Sequence, residues 1–331
     1  MRLFVGTYTG LGGPGAAVLS LEGDALSILS TDGSLRDPSY LALSKSGDRL
    51  YAVGESGASG SAAAFRVSGD RLTPLGAVST GAQAPCHLCL SADERHLYAA
   101  NYVTGCVTVF PVLPGGLGER IQMVQHTGSG PNAARQRGPH AHWVGFRPGT
   151  EELYAVDLGI DQVVGYLRDP DTGLLSPLNR LTVPGGLGPR HLAFSADGQY
   201  GYLAHEMGNA VSAVRFGDGE PRLLDTYPTL PGAFDGESTC AAIRLSPDGK
   251  ALYVSNRGHD SVAAFEVAEG RLTPAGHIMA FGRTPRDFMP LPGGNMLIAH
   301  QDSGTIALVR MRDNALISEC AILGAVCLCA G

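Results

Sequence analysis

With 331 residues and a formal net charge of −7, the chain is ill-suited to broad attraction to nucleic acid or to an anionic membrane surface. Its 46 glycines and 21 prolines make up about a fifth of the residues, against about 12% in average usage, and charged residues reach only 17%, which excludes a helix-rich architecture in favour of tight turns and stacked sheet. Seven scattered cysteines, an odd number, suit reduced and mostly buried thiols rather than a disulfide framework.

The N-terminal RLFVGTYTG alternates like a strand at once, without a basic start, apolar core and cleavage site. No apolar run approaches the ~18 residues of a spanning helix, and a cytoplasmic protein is expected. GAAVLSLEG, from Gly15, reads as the next strand. From Pro38 onward a unit of about 46 to 54 residues repeats, a period expected of propellers and solenoids. Its copies begin PSYLALSKSGDRLYAVGES at Pro38, PCHLCLSADERHLYAANYV at Pro85, PHAHWVGFRPGTEELYAVDLG at Pro139, PRHLAFSADGQYGYLAHEMG at Pro189, CAAIRLSPDGKALYVSNRGHD at Cys240 and PRDFMPLPGGNMLIAHQDSG at Pro285. Each is an alternating strand, a polar turn and an aromatic-apolar strand, the signature of a β-hairpin. A third strand follows (SAAAFRV, CVTVFPV, QVVGYLRD, AVSAVRF, SVAAFEV, TIALVRM), then a weaker fourth of RLTPLG type.

Four antiparallel strands per unit make a propeller blade. The N-terminal strands lack an innermost partner, which the C-terminal ILGAVCLCA supplies, so a seventh blade is expected from both chain ends. The expectation is an all-β, seven-bladed β-propeller of four-stranded antiparallel blades, one domain over 1–331. It should be monomeric, because ring closure hides the sheet edges. PGGLG, at Pro114 and again at Pro184, lacks the following helix and lysine of a phosphate loop and reads as a turn. Cys327-x-Cys329 has no second pair at zinc-ligand spacing and reads as two thiols on one face of a strand, so neither metal nor cofactor is expected.

In a hairpin the start of the first strand lies beside the end of the second. If first strands are innermost, these positions crowd one face of the ring: Tyr8; Glu55; His87 and Asn101; His140, His142 and Asp157; Arg190, His191 and Glu206; Asn256 and Arg257; Arg286, His300 and Gln301. Such a mixed-charge pocket shifts pKa values and suits a small anion, although the same groups also serve elsewhere to hold blades in register. His140 and His142, at i and i+2, share a strand face, as a general base or metal ligand requires. Arg190, after the stiff Gly188-Pro189, is placed for bidentate contact with phosphate or carboxylate, or for an ion pair with Asp157 or Glu206. Glu206 is a second candidate base, or the partner that aligns Arg190. His96, His126, His259 and His277 are expected off this face, in turns or outer positions.

PHAHWVGF with YAVDLG, GPRHLAFSADG with HE, AAIRLSPDGKALYVSNRGHDSVAAF and GRTPRDF resemble the seven-bladed propeller lactonase family, from FVGTYTG to the final Val-Cys. Its bacterial members are 6-phosphogluconolactonases, and it includes fungal carboxymuconate-lactonizing cycloisomerases. The resemblance implies catalytic or substrate-binding roles for His142, Arg190, Glu206 and Arg257, with His140, Asp157, His191, Asn256, Arg286 and His300 lining the same pocket. His300 before Gln301, and Trp143 after the His-Ala-His motif, depart from the common family pattern. The implied activity is hydrolysis of a small anionic sugar δ-lactone, 6-phosphoglucono-1,5-lactone to 6-phosphogluconate, in the pentose phosphate pathway. His142 or Glu206 would take a proton from water, and Arg190 and Arg257 would meet the oxyanion or phosphate. The alternatives are a muconate-type lactonizing cycloisomerase and a non-catalytic scaffold or binding propeller.

Overall fold

The computed structural model describes residues 1–217 and 219–330. Seven antiparallel sheets form the blades of a propeller. Blades 1 to 6 follow in chain order as 38–79, 85–125, 141–182, 189–228, 239–279 and 285–321. Blade 7 joins the C-terminal strand Ala325–Ala330 to Arg2–Thr7, Ala16–Glu22 and Ala25–Asp32. The chain ends thus close the ring together, Val5 pairing with Leu328. Each innermost strand touches the next, and Ala325–Ala330 touches Pro38–Leu43 to complete the circle.

Local chemistry explains the hairpins. In SADG the Ser195 hydroxyl donates to Asp197 Oδ1 (2.6 Å), which also accepts the Gln199 N–H (3.0 Å). Gly198 then turns the chain at φ 66°, where a side chain is strained. SPDG repeats the device with Ser246, Asp248 and Lys250. Between blades the alternating strands interdigitate: Phe4, Val18 and Cys327 of blade 7 pack on Leu50, Ala52 and Phe65 of blade 1. The buried Phe, Val and Leu side chains among them contribute about 1.5–3 kcal/mol each.

Blade 2 carries a short fifth strand, Gly116–Leu117, for which the first PGGLG is the hairpin turn. Two of the histidines expected in turns or outer positions are buried. His126 Nδ1 donates to Asp157 (2.7 Å), and His96 Nδ1 accepts from Arg168 (3.1 Å), whose side chain is 1% exposed and spans blades 2 and 3 to reach Asp93 and Glu151.

One feature recurs in all seven blades. Where the innermost strand begins, it holds one more residue than its partner: the register steps from Pro38↔Gly54 to Tyr40↔Val53, from Pro85↔Asn101 to His87↔Ala100, and from Pro189↔His205 to His191↔Ala204. Equivalent steps fall at His142, within Ala241–Ala242, at Arg286 and at Val326. A β-bulge re-aims the side chains around it, and here it does so once per blade on one face of the ring.

Candidate active site

Two concentric sets of residues build the rim. The bulges supply Ser39, Cys86, His142, Arg190 and Arg286. The residue just beyond the second strand supplies Tyr8, Glu55, Tyr102, Leu158, Glu206 and Gln301, and in blade 5 the last residue of that strand supplies Arg257.

Glu206 is the centre of the charged half. Its Oε1 accepts from Arg135 Nη2 (2.6 Å); its Oε2 accepts from Arg190 Nε (3.1 Å) and pairs with Arg257 Nη2 (2.9 Å). Burial raises the Glu206 pKa, but Arg257 and Arg190 more than reverse this and hold it below the usual carboxylate range. Burial, with Arg257 and Arg286, pushes the Arg190 pKa down to about 10. Beside this cluster Arg286 donates to Tyr8 Oη (2.7 Å) and Gln301 Oε1 (3.1 Å), and Tyr8 donates to Glu55 (2.8 Å). Three guanidinium groups therefore meet one carboxylate at Glu206, and a fourth, that of Arg286, reaches Glu55 through the Tyr8 hydroxyl.

Imidazoles line the other half. His191 Nε2 lies 3.1 Å from Arg190 Nη1. Because a guanidinium only donates, His191 is a neutral acceptor. His142 faces it with ring centroids 5.3 Å apart. Burial first, then Arg190, lowers the His142 pKa well below 6.5, so this ring is neutral as well. No protein group binds His142 Nε2 among the described residues, whereas Nδ1 lies 3.8 Å from Cys86 Sγ. Burial pushes the Cys86 thiol far up, which leaves it protonated rather than nucleophilic. His140 stacks on Tyr102 at 4.5 Å, and its Nδ1 donates to the Tyr102 carbonyl (2.9 Å).

The structure thus brings His142, Arg190, Glu206, Arg257, His140, His191 and Arg286 to one rim. Asp157, Asn256 and His300 stand apart from it: Asp157 and His300 are the last residues of their strands and Asn256 the last but one, each lies one position short of the rim, and alternation turns them into the sheet. Asp157 accepts from His126, His140 N–H and Gly159 N–H; Asn256 donates to the Thr229 carbonyl and Ser261; His300 bonds the Ala280 carbonyl and Thr305. Asn101 and His205 occupy the same buried position in blades 2 and 4. These five are clasps between strands.

Arg135 and Tyr102 are functional candidates that the hairpin pattern does not single out. Tyr102 follows Asn101 at the strand end and is found by the same alternation. Arg135 lies in the connection 126–140, far longer than the equivalent 33–37, 80–84 and 280–284. That length, with Arg135 and Arg137 inside it, is the available signal. The other long connection, 229–238, walls a cavity of about 610 Å³ lined by Asn209, Glu237, Ser238, Thr239, Arg257 and Thr284. Deeper in the channel, Tyr40, Trp143, His191, Arg244 and Asp287 border a second cavity of about 390 Å³.

A family model described as lactonase, 7-bladed beta-propeller, matches residues 2–320. The chain is 35% identical to the 6-phosphogluconolactonase of Bacillus subtilis over 316 residues, 92% of this chain and 89% of that one. Among solved structures, a protein from Lactobacillus plantarum superposes with a TM-score of 0.91 at 32% identity, covering 99% of this chain and 98% of that one. The periplasmic gluconolactonase of Pseudomonas aeruginosa gives a TM-score of 0.89 at 30% identity, covering 99% and 98%.

Proposed function

Given that the chain belongs to the seven-bladed β-propeller lactonase family and is an enzyme of lactone hydrolysis, we propose that its substrate is 6-phosphoglucono-1,5-lactone and its product 6-phosphogluconate, a step of the pentose phosphate pathway. The observation that carries this is the convergence of cations on the rim, where Arg135, Arg190 and Arg257 all meet the single carboxylate of Glu206 and Arg286 reaches Glu55 through the Tyr8 hydroxyl. A phosphorylated sugar lactone supplies further negative charge. Among the described residues no helix is long and apolar enough to cross a membrane.

In the mechanism we favour, His142 is the base. Its ring is neutral and Nε2 is free to accept a proton, whereas Glu206 is held by three guanidinium groups. The oxygen of a water molecule bonds to the lactone carbonyl carbon as His142 takes its proton. Arg190 and Arg257 stabilise the resulting oxyanion. The tetrahedral intermediate collapses, the bond from carbon to ring oxygen breaks, and the proton passes from His142 to that oxygen. His140, His191 and Tyr102 orient the sugar hydroxyls. δ-Lactones of this kind open spontaneously, so a few kcal/mol of transition-state stabilisation suffices.

The test is side-by-side turnover of 6-phosphoglucono-1,5-lactone and carboxymuconolactone, corrected for spontaneous opening. Acceleration of the first alone is expected. Acceleration of the second alone assigns a lactonizing cycloisomerase, and acceleration of neither leaves a binding propeller.

A further inference from the structure

Glu206 receives three guanidinium groups, and they are not equivalent. Arg190 and Arg257 come from the blades, with side chains 3% and 15% exposed; Arg135 comes from the connection 126–140 and is 41% exposed. The backbone beneath Arg135 is fixed. Asn132 Oδ1 caps the N–H groups of Ala134 and Arg135 (3.0 and 3.1 Å), and Gln136, wholly buried, donates to the Leu158 carbonyl (2.8 Å). The side chain is held far less firmly. Only Nη2 is engaged, with Glu206 Oε1 and, at 3.3 Å, the Tyr102 hydroxyl; Nε and Nη1 have no protein partner among the described residues. Arg135 is thus the one cation of the three that can leave Glu206 by side-chain rotation, carrying unused donors on a planar fork that suits a phosphate.

We propose that Arg135 is the specificity-determining residue of the site: it captures the phosphate of the substrate and, in turning to it, gives up its bond to Glu206. This rests on the lactonase function proposed above. Capture of the anion and release of one Glu206 lone pair become a single event. The freed Oε1 accepts a hydrogen bond from a sugar hydroxyl while Arg190 and Arg257 keep Oε2 in place. An unphosphorylated lactone provides no counter-ion, so Arg135 stays on Glu206 and that acceptor remains blocked. Discrimination therefore falls on turnover as well as on binding.

The experiment titrates 6-phosphogluconate and gluconate calorimetrically into the wild type, Arg135→Gln and Arg135→Lys, and measures kcat and KM for the two corresponding δ-lactones. The wild type is expected to bind 6-phosphogluconate about tenfold or more tighter than gluconate. Arg135→Gln should lose that margin by weakening 6-phosphogluconate and not gluconate, Arg135→Lys should recover part of it, and, because Glu206 Oε1 is then unblocked whichever lactone is bound, Arg135→Gln should raise kcat for the unphosphorylated lactone toward that for the phosphorylated one. Equal weakening of both acids by Arg135→Gln, or of neither, overturns the proposal, because Arg135 then only braces Glu206 or does nothing. If the wild type discriminates through Arg135 but hydrolyses neither lactone, the anion assignment stands and the hydrolase function falls. If it hydrolyses both lactones but binds the two acids equally, the reverse holds.

Discussion

Glu206 and Arg190 depend on each other, since both are buried and each is the other's counter-charge. Arg190→Ala and Glu206→Ala are each expected to lower kcat/KM for the phosphorylated lactone about tenfold or more with the fold retained; wild-type rates in both variants would remove the site assignment. Glu206→Ala also leaves Arg190 without its carboxylate, at a cost of about 3–5 kcal/mol, and its urea midpoint should fall below that of Glu206→Gln. His142→Asn should lower kcat about hundredfold. The pH profile separates this loss from mere misplacement. Catalysis uses the neutral ring, and burial with Arg190 keeps the His142 pKa well below 6.5, so the acid limb of wild-type kcat/KM lies below pH 6.5 and disappears in the variant. At this scale much of the site is legible in the chain, because strand ends in a repeated hairpin can be counted. What the count misses is one step of alternation: Asn256 and Arg257 are neighbours, yet only Arg257 reaches the rim. The same step separates Asp157 from Leu158 and His300 from Gln301.

The bulge is the element that makes a rim out of seven ordinary hairpins. Without the extra residue, strict alternation would leave either Arg190 or His191 facing away from the channel; with it, both serve the site. A one-residue mismatch does not show in an apolar-polar pattern, so the bulges are visible only once strands are paired. Connections are equally hard to read, since 126–140 has neither repeat nor alternation to fix its path, and Arg135 is hidden for that reason. The connection leans on blade 3 at Gly159, where an added Cβ would collide with the Gly138 carbonyl oxygen and crowd His140 N–H. Gly159→Ala is therefore expected to cost about 1–3 kcal/mol in urea denaturation and to lower kcat/KM about tenfold, the kinetic loss reflecting displacement of His140 and the Arg135 connection. An unchanged rate would show that this contact does not set the site's geometry.

The ring as a whole is acid-sensitive in a calculable direction. His87, His142 and His191 are buried with pKa values well below 6.5, chiefly through burial, and burial lowers that of His205 to about 3. Below pH 6.5 the unfolded chain takes up protons at these positions that the folded ring refuses. Stability is therefore complete above that pH and falls beneath it, by up to about 1.4 kcal/mol per pH unit for each histidine. Urea midpoints at pH 7 and pH 5 measure the effect, and equal midpoints would contradict the buried neutral imidazoles. The Glu206 and Asp93 carboxylates, held below their usual range, keep their contribution throughout this window. Seven blades and a shared closing sheet are legible at this scale, because each repeat is local and only the two chain ends lack partners.

That shared sheet also sets the order in which the molecule can become competent. Tyr8 is synthesised well before Arg286, to which it bonds across 278 positions, and before the strand Ala325–Ala330. Until Ala325–Ala330 has been made, blade 7 stays an open edge and the rim lacks its seam. A nascent chain therefore carries every catalytic candidate before it can assemble them.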